Sequence, residues 1–366
     1  MLNRLTGVRA VAAIFVVFFH FGDSFATLFP PLVWLRPLYK SGDMGVDLFF
    51  LLSGFILSLN YLDKLKTFSR RNYFNFLGAR LARIYPVHIF TLLLLTAFVL
   101  YAWHFDIKMN LAHYSGFTWA TNVFLIQVWP GFNRGLTWNF PSWSISAEWF
   151  AYLLFPFFAI TIAKNKRPFV WGSLALMLYT VPSLFGLEQN SVRWALLRVS
   201  SEFLAGCFLF CIYRSGIACP IRPWLSGLGC ISICAVGSYF NVSRALSLPF
   251  FALLIWGLAT YSEGFLSGRI AVYWGKVSYA LYMTHGLCQI VLNRAIPTEK
   301  FRFSSFLLRA EIAVAYSLPL IFSAVLVYHF VEMPARQWLH PSSKKKPLTV
   351  SSGELLQTST KESAGI

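Results

Sequence analysis

Of the 366 residues, 57% are hydrophobic, 18% aromatic and only 12% charged, about half the roughly 25% charge of a soluble domain. That much apolar surface cannot be buried in a soluble core, so the composition excludes an ordinary soluble protein and points to one integral-membrane domain. The net charge of +17 raises nucleic acid as a partner, but the basic residues follow a membrane topology, and the expectation is no nucleic acid.

Apolar stretches near 20 residues recur along the chain, each long enough to cross about 30 Å of hydrocarbon at about 1.5 Å per residue. They predict an all-α polytopic membrane protein with about ten transmembrane helices, near 6–28, 43–62, 85–103, 143–163, 168–186, 196–214, 223–240, 245–262, 272–294 and 308–330. With the N-terminus inside, about two-thirds of the Lys and Arg residues fall on inside segments. The 63–84 loop alone carries Lys64, Lys66, Arg70, Arg71, Arg80 and Arg83. Under the positive-inside rule both termini are cytoplasmic. No small-residue cleavage site follows the first apolar run, so it reads as a span rather than a removed signal peptide. The domain plan is an integral-membrane unit over 1–336 and a tail over 337–366. That tail is basic at Lys344–Lys346, then rich in Ser, Thr and Glu, and is expected to be disordered and cytoplasmic.

Ionisable side chains inside spans cost several kcal/mol and are functional candidates by default. In the first span Arg9 and His20 are eleven positions apart. That is about 20° beyond three full turns and a rise of roughly 17 Å, so the two share a helix face, Arg9 near the inner end and His20 in the outer half. Singly, Arg9 also reads as a snorkelling anchor and His20 as a packing histidine. As a pair on one face they read as two ends of one site. The second span begins Gly45-Val46-Asp47 near the outer interface and carries Ser53-Gly54 near mid-membrane. Asp47 is also placed to cap the helix, and the Ser-Gly pair to let a helix or ligand approach closely. Arg80 and Arg83 lie at i,i+3 before the third span, a double guanidinium suited to phosphates as well as a positive-inside signal, with Pro86 expected in the first turn.

The outside stretch 104–142 contains an apolar run, Phe117–Trp129, too short to span. With tryptophans at 119, 129, 138 and 143 it reads as a re-entrant lid or an interfacial aromatic belt. The fourth span opens Trp143-Ser144-Ile145-Ser146-Ala147-Glu148, placing Glu148 about one and a half turns in, at a depth comparable to His20. A carboxylate beside an imidazole fixes its tautomer and raises its basicity, the pairing general-base chemistry uses. Cys207/Cys211 and Cys230/Cys234, at i,i+4 within spans, read as packing residues, with neither a disulfide framework nor a metal site expected. No internal repeat links the halves.

Arg9-x10-His20, the GVDLFFLLSGF run from Gly45, Arg80-x-x-Arg83-Ile-Tyr-Pro and Trp143-Ser-Ile-Ser-Ala-Glu148 occur in the order and spacing of the bacterial acyltransferase-3 family. Ser278-Tyr-Ala-Leu-Tyr-Met-Thr-His285 and His329-Phe-Val-Glu332-Met-Pro-Ala-Arg336 also resemble that family's closing motifs. The resemblance covers about residues 3–336. It departs at Ala147 and Trp149, where the family often has another acidic residue and Gln, and it does not extend to the soluble hydrolase-like domain of longer relatives.

The resemblance implies a multi-pass enzyme of the bacterial inner (plasma) membrane. It would move an acyl group, most often acetyl from cytoplasmic acetyl-CoA, to a hydroxyl of an extracytoplasmic or lipid-linked glycan such as exopolysaccharide or lipopolysaccharide. No cofactor is permanently bound; acetyl-CoA or another acyl-CoA is the donor substrate. In this scheme Arg9, Arg80 and Arg83 hold the acyl-CoA phosphates, His20 is the general base, and Glu148 or Asp47 orients it. A transient acyl-histidine is the competing scheme. A transporter or flippase for a glycan or lipid-linked intermediate, using the same buried ionisable set for coupling, is the alternative reading, and a structural scaffold the third.

Overall fold

The computed structural model describes residues 2–107, 113–164, 192–240, 246–261 and 264–339, with a few positions between 172 and 178. Among the described residues every regular element is a helix. The principal ones are α1 (Asn3–Leu28), α2 (Arg36–Lys40), α3 (Gly45–Tyr61), α4 (Arg70–His104), α5 (Gly116–Val123) and α6 (Trp143–Lys164). There follow α7 (Ala195–Arg214), α8 (Pro223–Phe240), α9 (Ser247–Thr260), α10 (Arg269–Ala295) and α11 (Phe306–Val327). A π-helical turn at Tyr328–Glu332 then leads into α12 (Met333–Leu339).

Seven helical units in the described residues are long and apolar enough to cross a membrane: Asn3–Leu28, Pro30–Tyr61, Arg70–His104, Phe140–Ala163, Ala195–Arg214, Pro223–Phe240 and Phe306–Leu339. Ser247–Thr260 is a shorter apolar helix. Arg269–Ala295 has the length but carries Lys276, His285 and Gln289 among its apolar residues, which lowers its hydropathy. Each of nine predicted spans thus falls on a helix. The tenth, at 168–186, lies outside the described residues apart from those few positions, and the tail beyond 339 lies wholly outside them.

The third span departs from expectation. Its helix begins at Arg70, so Arg80, Arg83 and Pro86 sit in the interior of a 35-residue helix rather than at its start. A hydropathy reading starts where the apolar run starts, whereas the helix starts where its hydrogen bonds do. Phe76, Leu77, Ala82 and Ile84 give the intervening turns a buried face despite the surrounding charge. At about 1.5 Å per residue this helix is roughly 52 Å long and projects beyond the roughly 30 Å hydrocarbon layer.

The core is organised by α1, which packs along α10, and by α3, which crosses α7. The second crossing is very close. A Cβ on Gly54 would lie 2.0 Å from the Phe203 carbonyl oxygen, and one on Gly206 would lie 2.0 Å from that of Leu51. Each glycine therefore admits the other helix's backbone. Cys207, one residue on, directs its thiol to the Gly54 carbonyl at 3.6 Å. The closeness of the crossing assigns Gly54 to packing and leaves Ser53, about 100° round α3, to reach Glu148.

The segment between α4 and α6 folds back into protein. Ser115 caps α5 by accepting from the Thr118 backbone N–H at 3.2 Å, and Asn122, Gln127 and Asn139 are buried beyond it. Non-helical backbone at this depth needs internal partners. It has them: Gln127 donates to the Ser142 carbonyl at 3.0 Å, Asn139 to that of Met283 at 3.0 Å, and the ring nitrogen of His88 pairs with the Asn122 carbonyl at 2.8 Å. Trp138 is buried with a positive φ of 50° and donates its indole N–H to Thr118 Oγ1 at 3.1 Å. Residues 113–142 thus form a plug packed on α4, α6 and α10. Trp119, Trp129 and Trp143 are only partly buried against it.

Candidate active site

α1 runs unbroken from Asn3 to Leu28, so Arg9 and His20 do lie three turns apart on one helix. Around Arg9 the bundle leaves a cavity of about 50 Å3, room for a few water-sized groups. Its polar lining comes from four helices: Arg9 of α1, Ser53 of α3, Ser144 and Glu148 of α6, and Tyr279 and Tyr282 of α10. Glu148 Oε1 accepts from Ser53 Oγ at 2.9 Å and from Tyr152 OH at 2.5 Å. The Arg9 guanidinium lies over the Phe49 ring at 5.7 Å, and its buried Nε makes no hydrogen bond.

Toward one end of this cavity the charges are dense. Arg9 interacts electrostatically with Arg83, Glu148, Tyr152 and Glu332. Arg80 donates to Tyr61 OH at 2.9 Å and stacks on the Tyr61 ring at 5.0 Å, leaving its Nε buried and unpartnered. Glu332, on the π-helical turn, faces Arg336 at 3.7 Å and has one carboxylate oxygen without a partner. Single π turns inside helices are frequent at functional sites. Three arginines, Arg9, Arg83 and Arg336, therefore surround Glu332 at that end.

Toward the other end, Tyr282 leads to histidine. Its ring is 5.6 Å from that of His285, which lies 5.0 Å from the His20 ring, with Phe140 of the plug 4.8 Å from His20. His285 is fully buried and its Nδ1 is 2.6 Å from the Tyr282 carbonyl. A carbonyl can only accept, so Nδ1 carries the proton and Nε2 keeps a free lone pair. That Nε2 is buried and unpartnered. His20 is held from behind by Gln289, which donates to its backbone carbonyl at 2.6 Å.

The structure gives both expected carboxylate partners of His20 other work. Glu148 meets Arg9, Ser53 and Tyr152 instead, because the α6 face carrying Ser144, Ile145 and Glu148 turns toward α3. A deep carboxylate is better served by a guanidinium and two hydroxyl donors than by a neutral ring. Asp47 is fully buried and binds Arg198 of α7, whose Nε and Nη2 both donate to Asp47 Oδ1. Arg198 Nε also reaches Glu202 Oε1 at 3.3 Å, and its guanidinium lies over Trp143 at 5.7 Å. The structure thus unites Arg9, Arg83 and Glu148, sets His20 with His285, and places Asp47 in a separate ion cluster.

Several of these residues escape a reading by sequence. Arg198 and Glu202 stand at i,i+4 within a span, which is itself a signal of a buried pair. His285 and Glu332 sit in the two closing motifs. Nothing local marks Tyr152. Among the described residues no three His, Cys, Asp or Glu side chains converge as metal ligands, and Cys207 and Cys234 are buried as packing residues.

Comparison with known proteins adds a chemical class. The profile of the acyltransferase domain family matches residues 2–329. The acyltransferase MdmB of Streptomyces mycarofaciens is 28% identical over 329 residues, covering 78% of this chain and 78% of that protein. The O-acetyltransferase OatA of Staphylococcus aureus is 22% identical over 369 residues, covering 92% of this chain but 57% of its own length. Against OatA, then, the chain spans little more than half. "Protein 2 in picA locus" of Rhizobium radiobacter is 39% identical over 94 residues, 26% of this chain and 44% of that protein. No solved structure matches.

Proposed function

We propose, from the premise that the chain belongs to the acyltransferase domain family and is a multi-pass membrane O-acyltransferase, that it moves an acetyl group from acetyl-CoA to a glycan hydroxyl on the opposite side of the membrane. The membrane in this reading is the bacterial inner membrane, with both termini cytoplasmic. One observation carries the proposal: a continuous line of polar residues follows α1, from the arginine cluster through the Arg9–Glu148 cavity and Tyr282 to the His20–His285 pair.

Arg80, Arg83 and Arg9 suit the phosphates of the donor, since guanidinium groups match phosphate oxygens in charge and geometry. The donor's thiol arm extends along α1, whose rise of roughly 17 Å between Arg9 and His20 brings the thioester toward the histidines. An acceptor hydroxyl approaches beneath the plug beside Phe140. His20 takes its proton, the hydroxyl oxygen attacks the thioester carbonyl, the C–S bond breaks, and the proton passes to the departing thiolate. His285, with its tautomer fixed by the Tyr282 carbonyl, keeps its unpartnered Nε2 lone pair beside His20, where it can receive a proton or a substrate donor. Glu148 balances the charge of Arg9 rather than serving the base. An exopolysaccharide, a lipopolysaccharide or a lipid-linked saccharide fits this direction of transfer.

The test is acyl transfer by purified protein in lipid nanodiscs with radiolabelled acetyl-CoA and isolated surface glycan. His20→Ala is expected to lower turnover by about 100-fold or more with unchanged thermal stability. Full turnover by that variant would refute the assignment.

A further inference from the structure

A second and much larger cavity lies on the other side of α1. It is a partly open apolar groove of about 840 Å3 between α1, α8 and α9. Val8, Phe15, Leu48, Phe251 and Leu254 form its floor, and half-exposed Ile14 and Phe18 its rim. One end differs. There Arg4 and Arg222 line it together, and no acidic residue is among its lining residues. Arg4 is 7% exposed and its Nη1 is buried without a hydrogen-bond partner, while Arg222 rests over the Tyr261 ring at 4.8 Å.

A desolvated guanidinium with an unmade hydrogen bond is costly, and an anion relieves it. The groove specifies what the anion is attached to. From Arg4 to Phe18 is a rise of about 21 Å, which covers the roughly 15 Å hydrocarbon of one leaflet and its boundary. At about 840 Å3 the groove is some seventeen times the Arg9 cavity and has room for long acyl chains. Two arginines with no facing carboxylate favour a headgroup of net negative charge over a zwitterion. We propose that the groove is a binding site for one anionic glycerophospholipid, its phosphate held by Arg4 and Arg222 and its two acyl chains lying along α1 between α8 and α9.

Gly227 permits a clean test. It lines the groove, and a Cβ added there meets nothing within 4 Å, so Gly227→Phe sets a ring across the path of the acyl chains with no clash at its Cβ. Native mass spectrometry of the delipidated full chain, titrated with phosphatidylglycerol or phosphatidylcholine, reads the binding. The wild type is expected to retain one phosphatidylglycerol about tenfold or more over phosphatidylcholine. Arg4→Gln/Arg222→Gln is expected to abolish that preference, and Gly227→Phe to abolish retention of either lipid at an unchanged melting temperature. Inorganic phosphate or coenzyme A at equal concentration is expected not to displace the lipid. Equal retention of both lipids by the wild type, a preference that survives the double substitution, or retention by Gly227→Phe would overturn the proposal. So would displacement by coenzyme A, which would assign the arginines to a soluble phosphate, or tighter binding of a polyisoprenyl phosphate.

Discussion

Replacing Arg198 by methionine removes the cation that faces both Asp47 and Glu202, while Asp47→Asn leaves that cation beside Glu202 at 3.3 Å. The two substitutions therefore differ in a calculable way. Losing the partner of a buried ion pair costs about 3–5 kcal/mol, whereas trimming one charge-assisted hydrogen bond costs about 1.5–3 kcal/mol. At the lower end of the melting shift for larger chains, about 2 °C per kcal/mol, Arg198→Met should lower the melting temperature by about 6–10 °C and Asp47→Asn by about 3–6 °C. The measurement is thermal unfolding in one detergent, with initial transfer rates taken at least about 10 °C below the lowest midpoint. Asp47→Asn should keep a rate within a few-fold of wild type there. Loss of transfer by Asp47→Asn with an unmoved midpoint would refute this reasoning and return Asp47 to the base. So would an Arg198→Met variant as stable as Asp47→Asn.

Other outcomes follow from the same geometry. His285→Asn keeps a donor near the Tyr282 carbonyl but removes the Nε2 lone pair, so turnover should fall about 100-fold at constant stability; undiminished turnover would exclude His285 from the site. Arg80→Gln and Arg83→Gln should each raise the KM for acetyl-CoA about tenfold or more with kcat little changed, and a kcat defect at constant KM would contradict phosphate binding. Gly54→Val would drive its side chain into the Phe203 carbonyl, and should lower the melting temperature by more than about 6 °C and disrupt the Ser53–Glu148 contact; a wild-type midpoint would show that the α3–α7 crossing yields.

The sequence makes the membrane architecture legible because the signal is summed over whole spans: nine apolar runs match nine helices, and the tenth lies largely outside the described residues. It also makes the Arg9–His20 face legible, since 3.6-residue periodicity relates two positions on one unbroken helix. It does not reveal the start of α4 at Arg70, because the turns carrying Arg80 and Arg83 are helical without being apolar. Nor does it indicate which face of α6 meets which turn of α1. Depth along two helices says nothing of their rotation, so Glu148 is matched to His20 by depth but placed against Arg9 by packing. Arg198 is the sharper lesson: a buried aspartate such as Asp47 implies a cation somewhere, and periodicity cannot reach a partner on another helix.

The Asp47–Arg198 pair joins positions 151 residues apart. A ribosome adding about 5–20 residues per second makes Arg198 roughly 8–30 s after Asp47. During that interval α3 carries an acid unmatched by its cation, and its glycine groove has no helix to receive. The order of synthesis thus becomes an order of assembly. α1 and α3 enter first, and the glycine crossing and the ion pair that hold α3 form only once α7 has been made. A chain cut short before α7 would lack both of the contacts that fasten the helix carrying Ser53.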